Sequence, residues 1–294
     1  MIWMKTKKNE PMWKHTTWRI GGPVDTLLQP ESVAELQQAI QQAKDTALPF
    51  YVIGGGSNLL VADDGIRGTV IQLGGSLCQL SVDNQTIYAE AGVPLPVLAR
   101  KAAEYNLSGL EFAAGIPGTI GGAVVMNAGA YQGQISDIVE QVVCCDKTGQ
   151  LFTFAAEECR FAYRNSRFKR NNEYIIVSVK LQLNKGKKEE ILTQMQKNTA
   201  ARNAKQPVEY PSAGSIFKNP PGDAAGRLIE LIGAKGWVQG GAMVSEKHSN
   251  FIVNTGKATC QDVLLLVERI KQAVKERTGV SLEEEILLLG KENP

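Results

Sequence analysis

A stretch of 25 residues, Phe112 to Ser136, carries no charged side chain and constrains this chain more than any other feature. Its length would suit a membrane span. Its content does not: six glycines, Pro117, Asn127, Gln132 and Gln134 would leave polar groups unpaired in lipid. Such a segment has to be buried in protein, with bare backbone lying against a neighbour. The run Glu111-Phe-Ala-Ala-Gly-Ile-Pro-Gly-Thr-Ile-Gly-Gly-Ala-Val-Val-Met-Asn-Ala-Gly129 sets glycines at 115, 118, 121 and 122. That spacing suits the close approach of a planar or extended ligand. A crowded loop between packed layers is the alternative.

A second glycine cluster lies upstream, in Tyr51-Val-Ile-Gly-Gly-Gly-Ser-Asn-Leu-Leu-Val61. The apolar run Phe50 to Ile53 predicts a strand that stops at Gly54, Gly55 and Gly56. Glycine lets backbone N–H groups turn inward and approach phosphate oxygens, and Ser57 and Asn58 add polar contacts. A tight strand-ending turn needs fewer glycines than this. The Rossmann fingerprint is absent: Gly54 and Gly56 fit G-x-G, but Leu59 holds the third glycine position. No P-loop pattern occurs either. Two neutral glycine-rich loops suit a large dinucleotide better than one small anion.

The rest of the composition narrows the class. At 294 residues, with 43% hydrophobic and 21% charged, the chain has material for about two compact domains or three small ones. Lys+Arg 32 against Asp+Glu 30 leaves +2, so no strong field points to nucleic acid or a membrane surface. The lead MIWMKTKKNEPMWK has no apolar h-region and no small-residue cleavage site, so a cytoplasmic protein without a signal peptide is expected. The five cysteines include no C-x-x-C and read as reduced, structural thiols; adjacent Cys144 and Cys145 would point to opposite faces of a strand. Only two histidines, His15 and His248, argue against an ordinary zinc site, and no metal is expected.

Periodicity supplies the elements. Ser32-Val-Ala-Glu35 forms a capping box before Val33, Leu36, Ile40 and Ala43, and Pro49 ends that helix. Gly68 to Leu73 and Thr86 to Ala91 read as strands, and 96–106 as a short helix. Ile138 to Cys145, Leu151 to Phe154 and Tyr174 to Leu183 also read as strands, with few helices between them. That order predicts an antiparallel sheet. The charged stretch Asn184 to Glu190 leads into a helix reaching Lys205 before Pro207. Asp223 is the expected cap of a helix closing at Gly233. Thr259-Cys-Gln-Asp262 predicts a capped helix with Val263, Leu266, Val267, Ile270 and Val274 on one face, stopped by Gly279. A strand from Leu282 to Leu289 is expected at the end, with Glu283 and Glu285 on one face and Glu284 on the other.

Two further segments carry polar chemistry. In Tyr163-Arg164-Asn-Ser-Arg-Phe168 the arginine is either a surface ion-pair residue or a fork over a carboxylate or developing enolate. In Tyr210-Pro-Ser-Ala-Gly-Ser215-Ile-Phe-Lys-Asn-Pro220, Ser215 lacks the G-x-S-x-G frame of a hydrolase elbow. A serine after glycine is commonly a cap or turn residue. The dense polar and aromatic company points to a binding turn.

Taken together and in order, YVIGGGSNLLV, GIPGTIGGAVVMNAGAY, YRNSRF, SAGSIFKNP and LEEEI resemble the UDP-N-acetylenolpyruvoylglucosamine reductases, a family of cell-wall flavoenzymes. The resemblance runs from Thr16-Thr-Trp-Arg-Ile-Gly-Gly22 to Leu282–Gly290. The short third region is similar to the type II branch, which lacks the inserted tyrosine-bearing substrate loop of type I. The resemblance implies an α+β fold: a two-part FAD-binding region of the vanillyl-alcohol-oxidase/PCMH type, over 1–75 with 281–294 and over 76–203, plus a smaller α/β substrate-binding domain over 204–280. It implies that NADPH reduces FAD, that NADP leaves, and that the enolpyruvyl ether becomes the lactyl ether of UDP-N-acetylmuramate.

The same resemblance implies site residues. Arg164, Ser215 and Glu285 match the catalytic arginine, the proton donor and the catalytic glutamate. FAD would lie on Tyr51, Ile53, Gly54, Gly55, Gly56, Ser57, Asn58 and Leu59, and on Ala114, Gly115, Pro117, Gly118, Thr119, Gly121, Gly122 and Ala123. Neither stretch holds His or Cys, so the flavin is expected to be non-covalent. Arg202 and Lys205, three apart on one helical face, together with Asn219 and Asn250, are the implied substrate-binding residues. A small-molecule UDP-sugar partner and a monomer are expected. Two other readings of the residues remain open here: a different non-covalent FAD oxidoreductase acting on a sugar or alcohol, and a non-catalytic nucleotide-sugar-binding module.

Overall fold

Alternation along Tyr174–Gln182 organises the largest sheet of the protein. Ile175, Val177, Val179 and Leu181 are all buried along this strand. The computed structural model describes residues 4–170 and 173–290; the first three residues of the basic lead and the last four of the 281–294 segment lie outside them. The chain divides into two compact units, Met1–Lys8, Thr26–Gly55 and Gly68–Arg202 in one, and Asn9–Asp25, Gly56–Arg67 and Asn203–Pro294 in the other. Both contain helices and strands, which bears out the α+β class.

In the first unit the sheet is wholly antiparallel, in the order Leu151–Ala155, Val139–Asp146, Tyr174–Gln182, Thr86–Glu90, Leu80–Asp83. The expected strands fall within about two residues of these bounds. Leu80–Asp83 was not legible, because its four residues alternate between half-buried and exposed and bury nothing fully. The parallel pairing of Phe50–Ile53 with Thr69–Gln72 confirms the strand before the first glycine loop.

Helix α1 (Val33–Asp45) starts as its sequence predicts, but the box is offset. Ser32 Oγ accepts from the Glu35 N–H, while the Glu35 carboxylate accepts from the Glu31 N–H at 2.7 Å and not from Ser32. Helix α2 (Leu95–Glu104) and helix α3 (Ile120–Met126) bury Leu95, Leu98, Ala99, Ile120 and Val124 in the same core as Ile87, Val142 and Val179. A short helix α4 (Arg167–Arg170) precedes the central strand, and α5 (Lys188–Lys205) follows it. Helix α5 is polar and buries only Ile191 and Asn198; the Asn198 amide donates to Glu111 O. All five cysteines are free, and Cys144, Cys145 and Cys159 are buried in this unit. Burial pushes Cys145 and Cys159 up to about 11, which suits inert structural thiols.

The second unit has its own core, with Trp18, Leu60, Ile216, Phe217, Val263 and Ile270 among its buried members. It holds helix α6 (Ala225–Leu231), helix α7 (Cys260–Thr278) and a three-stranded antiparallel sheet, Val238–Gln239, Ala242–Val244, Ile252–Asn254. Two expectations need correction. Asp223 does not cap α6: its carboxylate accepts from Ala224 N and is gripped by Arg227, which holds its pKa down at about 2. The N–H of Ala225 goes instead to Asn219 Oδ1 at 3.1 Å. The closing strand is shorter than Leu282–Leu289. Only Leu287–Leu289 is strand, parallel to Leu59–Val61, because the preceding glutamates pair with a different segment.

The capping box of α7 is as predicted, with Thr259 Oγ1 accepting from Asp262 N and Asp262 Oδ2 accepting from Thr259 N, both at 3.0 Å; Gly279 closes the helix at φ 76°. A third participant comes from far along the chain. The Asp63 carboxylate accepts from Cys260 N at 2.7 Å and from Gln261 N at 3.0 Å, satisfying two more of the N–H groups a helix start leaves unpaired. Asp63→Ala should therefore cost this unit about 1–2 kcal/mol. Denaturant unfolding read by the fluorescence of Trp18 and Trp237 checks this, and an unchanged midpoint would contradict it.

Candidate active site

Within the first unit the two glycine-rich loops touch at bare backbone. A Cβ added at Gly54 would lie 2.5 Å from Thr119 Oγ1, and one at Gly55 would lie 3.2 Å from Gly118 Cα. Tyr51 and Ile53 lead into this contact on their strand, half-buried and buried respectively. Gly118 sits at φ +115°, a conformation that glycine alone adopts at little cost. Thr119 caps α3 by accepting from Gly122 N at 3.3 Å. The N–H groups of Ile120 and Gly121 are already taken by Val93 O and Ala91 O. Gly121 lies so close to Ala91 that an added Cβ would come within 2.8 Å of its side chain. This glycine therefore brings the helix and its neighbour together instead of offering a donor. Gly122 and Pro117 are exposed, Ala114 and Gly115 half-buried, and Ala123 buried.

Arg202 stands beside the second loop. A Cβ at Gly115 would meet Arg202 Cδ at 3.1 Å, so this side chain lies along the second loop. Burial pulls the Arg202 pKa down and the neighbouring Tyr131 phenol pulls it back up; the guanidinium stays charged. Neutral loops stripped of side chains, with one arginine alongside, fit an elongated dinucleotide such as FAD. Bare backbone at such loops lets a ligand of that shape approach closely.

Arg164 is displayed on a tight turn. Ala162 and Asn165 exchange both backbone hydrogen bonds, at 3.0 and 3.1 Å, which leaves Tyr163 and Arg164 at the tip. Arg164 is held at φ +52°, a conformation costly for a side chain of this size. The end of the second glycine segment fixes the turn: Asn127 Nδ2 donates to Ala162 O, Ser166 Oγ donates to Val125 O at 2.8 Å, and the Arg164 guanidinium donates to Gly129 O at 3.3 Å. The guanidinium also lies over the Tyr163 ring.

The second unit pairs the segment that follows Ser215 with the segment that holds Glu285. Phe217 and Glu284 form an antiparallel bridge; Glu285 N donates to Ile216 O at 2.7 Å and Lys218 N donates to Glu283 O at 2.9 Å. Glu285 thus stands opposite Ile216, one residue from Ser215. Asn58 joins them from the first glycine loop, donating to Glu285 O at 3.0 Å and accepting from Leu287 N. Gly56 fixes the loop at φ +65°, where an added Cβ would overlap His15 O. Ser57 is half-buried and Leu59 is buried in the strand beside Leu287. Lys205 and Asn219 are exposed. Asn250 is 4% exposed, and its amide is engaged with the Phe217 backbone, which leaves little of it for a ligand. The flanking glutamates are ion-paired, Glu283 with Lys218 and Glu284 with Lys271. Among the described residues no group of three His, Cys, Asp or Glu could hold a metal.

Sequence reasoning missed three participants. Asn127 anchors the Arg164 turn; its place after α3, in the left-handed conformation that asparagine tolerates, was a usable signal. Tyr131 lies beside Arg202 at the end of the uncharged stretch. The clamp made by Asn250 has no local signal, because its partner is 33 residues away.

Comparisons with known proteins agree with this geometry. Residues 24–155 match the family described as FAD binding domain, and residues 206–289 match UDP-N-acetylenolpyruvoylglucosamine reductase, C-terminal domain. The UDP-N-acetylenolpyruvoylglucosamine reductase of Syntrophomonas wolfei is 48% identical over 98% of this chain and 96% of its own. That of Caldanaerobacter subterraneus is 48% identical over 96% of this chain and 93% of its own. The crystal structure of the same reductase from Thermus caldophilus superposes with a TM-score of 0.83 at 40% identity, covering 98% of this chain and 100% of the other.

The contact between the loops gives a direct test. Gly54→Ala, which places a methyl against Thr119 Oγ1, should weaken FAD binding at least tenfold, on the order of 1.4 kcal/mol. Titration of the apoprotein with FAD by fluorescence quenching measures it. Wild-type affinity in the variant would show that the loop contact does not shape the cradle.

Proposed function

The chain belongs to the UDP-N-acetylenolpyruvoylglucosamine reductase family, and from that premise we propose that Arg164, Ser215 and Glu285 carry its chemistry with NADPH as the reductant. It reduces the enolpyruvyl sugar nucleotide in peptidoglycan precursor synthesis, as an FAD-dependent oxidoreductase. The observation behind the proposal for the residues is the backbone pairing of Ile216 with Glu285, which sets the segments carrying Ser215 and Glu285 side by side.

When bound, FAD supplies the hydride that adds to the terminal carbon of the enol ether. Negative charge then moves through the substrate onto its carboxylate, as an enediolate. The Arg164 guanidinium is permanently charged and forked, matching two carboxylate oxygens. Glu285 acts at the same group. Charge that exists only in the transition state is where such groups lower a barrier. Ser215 Oγ–H then delivers a proton to the carbon bearing the ether oxygen, and the serine takes a proton back from solvent. A hydroxyl is a weak acid, so this works because the carbon is a strong base. The scarcity of histidine is thus no obstacle.

Arg202 and Lys205 balance diphosphate charge and Asn219 contacts the sugar nucleotide in this reading. Residues 51–59 and 114–123 would hold FAD, without a covalent bond. The proposed division is FAD-binding over 1–75 with 281–294 and over 76–203, and substrate-binding over 204–280. We place the enzyme in the cytoplasm as a monomer, its product feeding the wall that sets cell shape and division.

Ser215→Ala should slow the half-reaction with the enolpyruvyl sugar nucleotide by about 10²–10⁴-fold. Reduction of the flavin by NADPH should stay within about threefold of wild type. Stopped-flow absorbance reads both, and equal losses would contradict a proton-donor role.

A further inference from the structure

The mechanism above needs Ser215 Oγ at a fixed distance from one carbon, yet the residue before it has no side chain to pack. Gly214 adopts φ +79°, and a Cβ added there would meet nothing within 4 Å. Restraint comes from the residues that follow. One edge of Ile216–Lys218 is paired to Glu283–Glu285. Its other edge is held by Asn250, through three hydrogen bonds. Ile216 N donates to Asn250 O at 2.9 Å, Phe217 N donates to Asn250 Oδ1 at 3.0 Å, and Asn250 Nδ2 donates to Phe217 O at 2.8 Å.

A primary amide offers a donor and an acceptor side by side, as a neighbouring strand does. Asn250 therefore supplies the missing strand from a single side chain. The arrangement is rigid. Asn250 is 4% exposed and Phe217 1% exposed. Asn250 N donates to His248 Nδ1 at 3.3 Å, and the adjacent Ser249 Oγ donates to Gly226 O at 2.6 Å, tying the clamp to α6. Breaking it would strand a buried N–H and a buried carbonyl, so Phe217 would shift until both were satisfied.

We propose that Asn250 is a positioning residue for Ser215: its amide, bonded to both backbone groups of Phe217, sets where the serine hydroxyl stands without touching the substrate. This rests on the reading of Ser215 as proton donor. A displacement of about 1 Å at a reacting group costs on the order of 10²-fold in rate. Binding of the sugar nucleotide, which does not depend on that distance, should be spared.

The test uses the FAD-loaded full chain in four forms: wild type, Asn250→Ala, Asn250→Asp and Ser215→Ala. Calorimetric titration with UDP-N-acetylmuramate gives affinity, and stopped flow gives the two half-reactions. For Asn250→Ala the sugar half-reaction should slow roughly 10–100-fold. Affinity for the nucleotide sugar and the rate with NADPH should each stay within about twofold, well under the tenfold that 1.4 kcal/mol represents. Asn250→Asp, of the same size and keeping the acceptor for Phe217 N–H, should show the same split with a smaller loss. Tenfold weaker binding at an unchanged rate would make Asn250 a substrate contact and overturn the proposal. So would equal loss of affinity and both rates, the mark of a purely structural role, or no change at all. If Ser215→Ala keeps the wild-type sugar half-reaction, the proton-donor reading fails. If Ser215→Ala is slow and Asn250→Ala is not, only the positioning role fails.

Discussion

The backbone pairing between Ile216–Lys218 and Glu283–Glu285 is the interaction on which the second unit's chemistry depends. It joins residues more than 60 positions apart and places a glutamate next to a serine whose own preceding residue is a glycine. Closing so long a loop costs entropy that two backbone hydrogen bonds do not repay alone. Neighbours make up the difference. Phe217 and Leu282 are buried in one core, α7 runs between the two segments in sequence, and Asp63 and Thr259 secure the start of that helix. Asn58 and Asn250 then hold the outer edges. Polar side chains act here as substitute strands, where the true ladder is only one bridge long.

The first unit solves a different problem with a different material. Its glycine loops carry no charge, and their spacing lets two backbones approach as closely as Gly55 and Gly118 do. Close approach is obtained by omitting side chains. Charge is brought in from outside the loops, by Arg202 along Gly115 and by Arg164 on a turn anchored to the end of α3. The left-handed backbone at Arg164 is consistent with a side chain whose direction matters more than the ease of its conformation.

Much of this was legible in the sequence where the cause is local. The α7 capping box, the alternation of Tyr174–Gln182 and the strand entering Gly54 all follow from residues within a few positions of one another. The family resemblance pointed to Ser215, Arg164 and Glu285, and in the second unit the residues after Ser215 pair with Glu283–Glu285. Reading failed where a distant group competes. Asp223 looked like a cap, but Arg227 and Ala224 claim its carboxylate and Asn219 serves the helix instead. Leu282–Leu289 looked like one strand, but its two halves take different partners. The bonds from the Asn250 amide to a backbone 33 residues away were likewise out of reach of any local signal. Side-chain amides satisfy whichever backbone group is nearest in space, and no period or spacing records that.

The most direct measurement is a double-mutant cycle between Ser215 and Glu285 in the half-reaction with the enolpyruvyl sugar nucleotide, using Ser215→Ala, Glu285→Gln and the pair. Residues that act on one transition state as a unit lose their effect together. The structure predicts that the double variant is no slower than about the slower single variant. Losses that multiply would show two independent contributions, and would contradict Ser215 and Glu285 acting as a unit on one transition state.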